Sequence, residues 1–525
     1  MLASALVALA LAGLTSGALA GYEWGGVTGY QSPYLFELSP GEPTPPLTER
    51  VLLVIVDGLR ADTAAELPTY RSVGASGVRT TARTTQPSLS LPGWTLITSG
   101  APPMISGITS NFYEDPVRVD SLFAEARRSG VSAAVAGHAI WEQLYGNELA
   151  AGSFEGLDDV RSDGNVRDGA LRLLEEVDPG LLVLHLPDTD NAGHLFGVGD
   201  EYRRNADEAD AIVAEVLEAA GPGTTVVYTT DHGHVGQGGH GGPEPEVVTA
   251  PLAMAGPGIA PGATLGSVEH ADVAPTVAAF LGLPRPTHAT GEVLLSALAV
   301  DGPTRASIEE AHAEVRARFD AAAARATGGR GGSFAEASAA RQRRDVLIRL
   351  PLAIVVLGAL AFAVRRGTRG LDARAVAAGV AAFLAVWAAT FFGQGLTFSL
   401  SHFNTEDQIV PFLLRRLLEA VAAGLVGGGV AGLVAGRRGD ARPYRVGVAT
   451  AAWGMVVSAI PVAVFVAVYG WGFTWRLPDL TTAFAQYLLL LGMLGLGVTA
   501  GLVGLTAAAA ARLRRPAPEG DGPSG

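Results

Sequence analysis

Apolar positions along the chain fall into three textures. The first is the uncharged run MLASALVALALAGLTSGALA over residues 1 to 20, closing on Ala18-Leu19-Ala20, the small-residue pattern of a signal-peptidase site. With no basic region at its start, it reads equally as a signal peptide or as a retained anchor helix, and both readings export the chain from residue 21 onward. Residues 21 to 48 are rich in Gly, Pro, Ser and Tyr and read as a stalk.

In the second texture, over 49 to 300, apolar runs of strand length alternate with Ala-rich helical stretches. The runs are VLLVIV at 51 to 56, VSAAVAG at 131 to 137, LLVLHL at 181 to 186 and TTVVYTT at 224 to 230; helices are expected over Ser121 to Ser129, Val166 to Val177 and Tyr202 to Ala220. Strands that are apolar on both faces and separated by helices predict an α/β domain, a mostly parallel sheet sandwiched by helices.

Residues 301 to 344 form an Ala, Glu and Arg-rich helical linker with a flexible break at ATGGRGGS. The third texture, 345 to 515, holds five apolar stretches near 346 to 364, 375 to 398, 417 to 436, 446 to 470 and 483 to 510. Each is long enough to cross a hydrocarbon core of about 30 Å, which predicts an all-α transmembrane bundle of five helices and a tail at 516 to 525. GLVGGGVAGLVAG at 424 to 436 offers small faces for helix packing. Glu419 and Arg349 lie near span ends and read as snorkelling side chains, so the bundle carries no legible chemistry.

Composition sharpens this division. A chain of 525 residues with 48% hydrophobic residues is too apolar for an ordinary soluble enzyme. No cysteine is present, which excludes disulfides, thiolate nucleophiles and sulfur-ligated metals. The formal charge of −14 is unevenly spread: residues 346 to 515 hold fifteen Arg and six acids, +9, leaving −14 − 9 = −23 elsewhere. That acidic remainder argues against nucleic-acid binding. Arg365, Arg366, Arg369 and Arg374 follow the first span, Arg437, Arg438, Arg442 and Arg445 the third, and Arg512, Arg514 and Arg515 the fifth. The positive-inside rule makes those ends and the tail cytoplasmic and the 49 to 300 domain extracytoplasmic, against a local countercurrent from Arg341, Arg343 and Arg344.

Acidic residues stand where the strands end: Asp57 after VLLVIV, Asp188 and Asp190 after LLVLHL, and Asp231 with His232 after TTVVYTT. Carboxyl ends of strands in an open α/β sheet form the ligand crevice, so these carboxylates converge. Converging anions resist desolvation unless cations neutralise them, and His194, four residues after Asp190, and His240, at the end of HGHVGQGGH, add imidazoles. The set predicts a divalent metal site, with Zn²⁺ preferred and Mn²⁺ an alternative. In SLPGWTLITSG the Pro sits in the first turn of an expected helix, placing Ser90 at an N-terminus that attracts phosphate. Ser90 is the candidate nucleophile, with Ser88, Thr85 and Thr84 as weaker ones.

VLLVIVDGLRADT, SLPGWTLITSG, DNAGH and TDHGHVGQGGHGG, in that order, resemble the four signatures of the alkaline phosphatase superfamily. The resemblance covers about 49 to 295 and is nearest to the type I phosphodiesterase/nucleotide pyrophosphatases and the glycosylphosphatidylinositol (GPI) ethanolamine-phosphate transferases. It implies two divalent metals, one held by Asp190, His194 and His240, the other by Asp57, Asp231 and His232 with the Ser90 oxygen. Asn111, in GITSNFYED, falls where nucleotide pyrophosphatases carry a phosphoryl-binding Asn. Asp188 competes with Asp190, but only Asp190 has the four-residue spacing to His194. His185, His234, His270 and Asp272 read as structural or supporting residues, and Arg83 as exposed. Sulfatases are set aside because Trp94 stands where they carry Arg.

The resemblance implies in-line attack on phosphorus by Ser90, resolved by water or an alcohol. The expected function is a membrane-anchored, extracytoplasmic two-metal phosphohydrolase or phosphodiesterase acting on phosphate esters, lipid-linked or nucleotide. The alternative is a phosphoethanolamine-type transferase acting on lipid or glycan acceptors, favoured by the likeness of HAIWEQLYG and GGHGGPEPEVVTAPL to those enzymes, although five spans are fewer than they carry.

Overall fold

The computed structural model describes residues 2–156, 162–266, 268–329, 333–440 and 442–513. The expected tail at 516 to 525, with Arg514 and Arg515, lies outside the described residues. Eight strands form one sheet: β1 Arg50–Val56, β2 Val78–Arg83, β3 Ala133–His138, β4 Ala151–Glu155, β5 Leu181–Leu186, β6 Thr224–Thr229, β7 Thr249–Ala255 and β8 Val268–Glu269, in spatial order β4-β3-β5-β1-β6-β7-β2-β8. All neighbours are parallel except β6 with β7 and β7 with β2. The sheet is thus mostly parallel, with β7 as the single reversed strand.

The apolar strands are buried on both faces because helices cover both. Val51, Leu53 and Ile55 of β1 pack with the helices Ser90–Ser99, Leu122–Arg128 and Val273–Leu281. Leu52, Val54 and Val56 alternate to the other face and pack with Pro68–Ser76, Asp163–Glu176 and Asp200–Ala220. Each such side chain contributes about 1.5–3 kcal/mol on burial, so the core fixes the strand ends rigidly. β1 lies centrally between β5 and β6, all three parallel, so Asp57, Asp190 and Asp231 emerge from one edge of the sheet. β2 runs the same way and delivers Thr84 and the loop to Ser90 at that edge.

Among the described residues, six helices are long and apolar enough to cross a membrane: five after the sheet domain and the amino-terminal helix Leu2–Thr28. The chain is a multi-pass membrane protein. Residues 21 to 28, expected as stalk, continue that first helix, which packs along Leu480–Leu513. Glycines permit the close approach, since a Cβ on Gly13 would lie 3.0 Å from the Cα of Gly497. The linker is the helix Gly302–Ala326, and the next helix, Phe334–Gly367, starts at a Ser333–Glu336 capping box inside the expected linker and runs unbroken into the first span. Its exposed Leu347, Ile348, Leu352, Ile354 and Val355 face outward, as a lipid-facing helix requires. Glu419 does not snorkel: it pairs at 2.7 Å with Arg416, which is buried and also reaches Gln394.

Candidate metal centre

At the carboxyl edge of the sheet the structure gathers Asp57, Asp190, His194, Asp231, His232, His234 and His240. Their ligating atoms fall into overlapping groups, Asp190 with His194 and His240, Asp57 with Asp231 and His232, and Asp190 with His232 and His234. Local backbone geometry makes this possible. Gly58 takes φ +67°, and a Cβ there would lie 2.6 Å from Nε2 of His234 and 2.8 Å from Oδ1 of Asp190. Asp190 and His194 share one face of the helix Asp188–Phe196, their polar atoms 3.2 Å apart.

Ring tautomers follow from the carbonyls that face them. Nδ1 of His240 lies 2.9 Å from the Ser88 carbonyl and Nδ1 of His232 lies 3.2 Å from that of Gly233. Each Nδ1 therefore donates, leaving Nε2 as a bare lone pair directed at the site. Two carboxylate oxygens, Oδ1 of Asp57 and Oδ2 of Asp231, are buried with no hydrogen-bond partner. Burial, reinforced by the facing Asp231 and Asp190, raises the Asp57 pKa well above the ordinary carboxylate value, and burial likewise raises Asp231. Burial also pushes on Asp190, but His194 and His234 overcome it and hold its pKa well below that value. Bare imidazole lone pairs beside partnerless buried carboxylates fit divalent cations. The chemistry of this donor set, nitrogen and oxygen without sulfur, is that of a divalent metal centre.

Ser90 is the first residue of the helix Ser90–Ser99, its Oγ 3.5 Å from Nε2 of His232. Asn111 stands beside it, its Oδ1 accepting from the Leu91 amide at 3.1 Å. The other hydroxyls near Ser90 are committed to backbone: Thr84 donates to the Asp231 carbonyl, Ser88 to that of Gly242 and Thr85 to that of Gln86. Asp188 turns away, accepting from Ser162 and Asp163. His270 meets Thr229 on the sheet and Asp272 accepts from Glu269 and Glu292, outside the cluster.

Several contacts had no clear signal in the sequence. His185, inside β5, puts Nε2 2.9 Å from Oδ2 of Asp57, and the Trp94 indole donates to the same oxygen at 3.2 Å. His234 lies 2.8 Å from Asp190. The membrane bundle also reaches the site, contrary to expectation. The loop between Ala373–Phe392 and Ile409–Arg437 lies on the Gly-rich segment that carries His240: Asn404 accepts from the Gly239 amide and donates to the Gln237 carbonyl, both at 2.9 Å. Ser401 accepts from the Gly242 amide at 3.0 Å. Glycine is needed at Gly239, where a Cβ would stand 2.4 Å from the Ser401 carbonyl. A cavity of about 250 Å³ opens beside His194, His240 and Asn111 and is walled opposite by membrane helices, through Trp24, Phe484 and Tyr487.

Residues 51–156 and 145–237 match the family described as Type I phosphodiesterase / nucleotide pyrophosphatase. GPI ethanolamine phosphate transferase 1 of Emericella nidulans is 27% identical over 350 residues, 52% of this chain and 36% of that protein. The human GPI ethanolamine phosphate transferase 1 is 25% identical over 324 residues, 50% of this chain and 34% of its own length. The chain thus spans little more than a third of the length of the curated relatives it matches. Among solved structures, murine ectonucleotide pyrophosphatase / phosphodiesterase 5 matches at TM-score 0.39 and 13% identity, over 45% of this chain and 96% of that one.

Proposed function

We propose, for a chain that carries a type I phosphodiesterase / nucleotide pyrophosphatase domain and is on that ground a phosphoryl-transfer enzyme, that it cleaves phosphodiesters at the extracytoplasmic membrane surface with Ser90 as nucleophile. The observation that carries this reading is the pair of adjoining Asp–His clusters, one with His232 3.5 Å from the Ser90 hydroxyl and the other with His194 and His240 lining a cavity walled by membrane helices. Asp190, His194 and His240 would hold one divalent ion and Asp57, Asp231 and His232, with Ser90, the other; Zn²⁺ suits the set best, with Mn²⁺ tolerated. Such ions, when bound, supply positive charge that offsets the phosphoryl oxygens and lowers the pKa of the serine hydroxyl.

The chain's own groups do the rest. Asn111, its oxygen already held by the Leu91 amide in the first turn of Ser90–Ser99, turns its Nδ2 to a phosphoryl oxygen. Ser90 Oγ bonds to phosphorus while the bond to the leaving oxygen breaks, and the hydroxyl proton ends on that oxygen. An acceptor hydroxyl then attacks the phosphoseryl ester and gives its proton back to Ser90. Water as acceptor makes the enzyme a hydrolase; an alcohol makes it a transferase of the phosphoethanolamine type. The apolar cavity beside His240 favours a lipid or glycolipid acceptor, in keeping with the named activity of the matched relatives. The amino-terminal helix, packed in the bundle, is proposed to be retained.

The test is full-length protein in mixed micelles, assayed on bis-p-nitrophenyl phosphate, p-nitrophenyl phosphate and a fluorescent phospholipid, with bound metal measured in parallel. Diester cleavage that needs Zn²⁺ or Mn²⁺ and falls at least about 10³-fold in Ser90→Ala is expected. Undiminished activity in that variant moves the nucleophile elsewhere, and preference for the monoester makes the enzyme a phosphatase.

A further inference from the structure

The Asp57 half of the metal centre rests on a histidine outside both groups of ligands. His185 lies in β5 on the face that also carries Leu181 and Val183, and its neighbours there are aromatic, with ring centroids 4.5 Å away at Trp94 and 5.8 Å away at Trp141. It is fully buried, and a polar ring in such surroundings costs free energy unless its nitrogens are hydrogen-bonded. Gly137 of the adjoining β3 makes room for it, since a Cβ there would lie 2.7 Å from the Cβ of His185. An aliphatic side chain would suit the two tryptophans, so packing alone does not ask for a histidine at this place.

Both ring nitrogens are in use, and their roles are fixed by what they face. Nδ1 accepts from the His138 amide at 3.4 Å; the ring proton is therefore on Nε2, which donates to Oδ2 of Asp57 at 2.9 Å. The Trp94 indole donates to that same oxygen at 3.2 Å. Oδ2 of Asp57 is thus held from two sides, while Oδ1 has no donor. The direction of that second oxygen is specific. Oδ1 of Asp57, Oδ2 of Asp231 and Oγ of Ser90 each lie 3.5 Å from Nε2 of His232, the nitrogen that its other contact leaves bare.

We infer that His185 is a positioning residue for the Asp57 half: together with Trp94 it holds one carboxylate oxygen of Asp57 so that the other is presented to a divalent ion alongside Asp231, His232 and Ser90. This rests on the metal-centre reading of the site. The torsion that turns a carboxylate is broad, so an Asp57 without these donors has no fixed choice of oxygen, and the loss of His185 falls on metal affinity.

The test is metal binding by the full chain in nonionic detergent, stripped with chelator and titrated with Zn²⁺ by calorimetry and with Co²⁺ by its visible absorption. Two binding events are expected in the parent. His185→Leu is expected to weaken by about 10–100-fold the event that Asp57→Asn removes, to leave the other within about threefold, and to change the Co²⁺ band of the affected site. His185→Gln, whose amide nitrogen falls near the place of Nε2, should recover most of the loss; His185→Asn, too short to reach Asp57, should not. This comparison of two amides does not need the leucine variant to fold. Equal affinities in the Gln and Asn variants, or weakening of both events together, would overturn the inference. A parent that binds no ion removes the metal-centre reading and this inference with it, whereas two tight events indifferent to residue 185 remove this inference alone. A chain that cleaves no ester but shows the difference between Gln and Asn loses only its catalytic reading.

Discussion

The two halves of the metal centre share a sheet edge and differ in electrostatics. Around Asp190 the carboxylate lies between His194 and His234, which hold its pKa low. Around Asp57 and Asp231 two buried carboxylates face each other, each with an oxygen that no donor reaches and each pushed up in pKa by burial. One half is balanced by the chain itself; the other is completed only by a cation. The lesson is that the carboxylate-rich half sacrifices metal-free stability for a strong demand for charge, as functional sites commonly do.

Removing one carboxylate from each half should give the largest effects and opposite signs. Asp57→Asn and Asp190→Asn are both expected to lower diester turnover by about 10³-fold or more. In metal-free protein at pH 7.5, however, Asp57→Asn relieves repulsion and should raise stability by about 1–2 kcal/mol. Asp190→Asn weakens the acceptor that His194 and His234 face and should lower it by about 1–3 kcal/mol. Thermal unfolding of chelated variants checks both; two changes of the same sign would dissolve the distinction between the halves.

Supporting contacts give a finer probe. Trp94→Phe keeps an aromatic ring against Trp141 but is smaller than the indole and lacks the N–H that reaches Asp57. Asn404→Ala deletes the clamp on the Gly239 amide next to His240. Outer contacts of this kind are worth about 10–100-fold in metal affinity or activity. Metal titration by calorimetry should show Trp94→Phe weakening one of two binding events and Asn404→Ala the other. If both weaken the same event, the two halves are not separately supported.

Legibility in the sequence tracks the strength of the local signal. The central strands are legible because a strand buried on both faces is apolar throughout, and Asp57, Asp190 and Asp231 are legible because each follows such a strand within a few residues. β2, as VRTTAR, and β4, as AGSFE, are not, since strands farther from the centre bury fewer positions and mix polar residues in. The Asp190–His194 pair shows in its four-residue spacing, whereas His185 is enclosed in an apolar strand and nothing in LLVLHL says that its ring meets Asp57. The contact of Asn404 with Gly239 joins residues 165 apart. Only the packed tertiary arrangement reveals it, and for the same reason the bundle looks chemically silent in the sequence. The end of the amino-terminal helix is hidden too: GYEWGG reads as a polar stalk until the helix is seen to continue through it.

The smallest predicted effect lies away from the metal centre and tests whether the pH response belongs to the centre alone. His312, on Gly302–Ala326, is buried with neither ring nitrogen hydrogen-bonded, and burial, aided by the positive charge of Arg285, lowers its pKa to about 3. Its unfolded value is about 6.5. Between those values the unfolded chain binds a proton that the folded chain refuses, so the contribution of His312 to stability is full above pH 6.5 and is lost as pH falls toward 3. The slope from one such group is at most about 1.4 kcal/mol per pH unit. His312→Leu keeps the packing, removes two unsatisfied nitrogens and should leave diester turnover unchanged. Unfolding of the metal-loaded variant beside the parent, from about pH 6.5 down to about 4.5, should show a shallower loss of stability by up to that slope. Parallel curves would assign the whole acid response to the imidazoles and carboxylates of the metal centre, and the contrast between its two halves would then have to account for it.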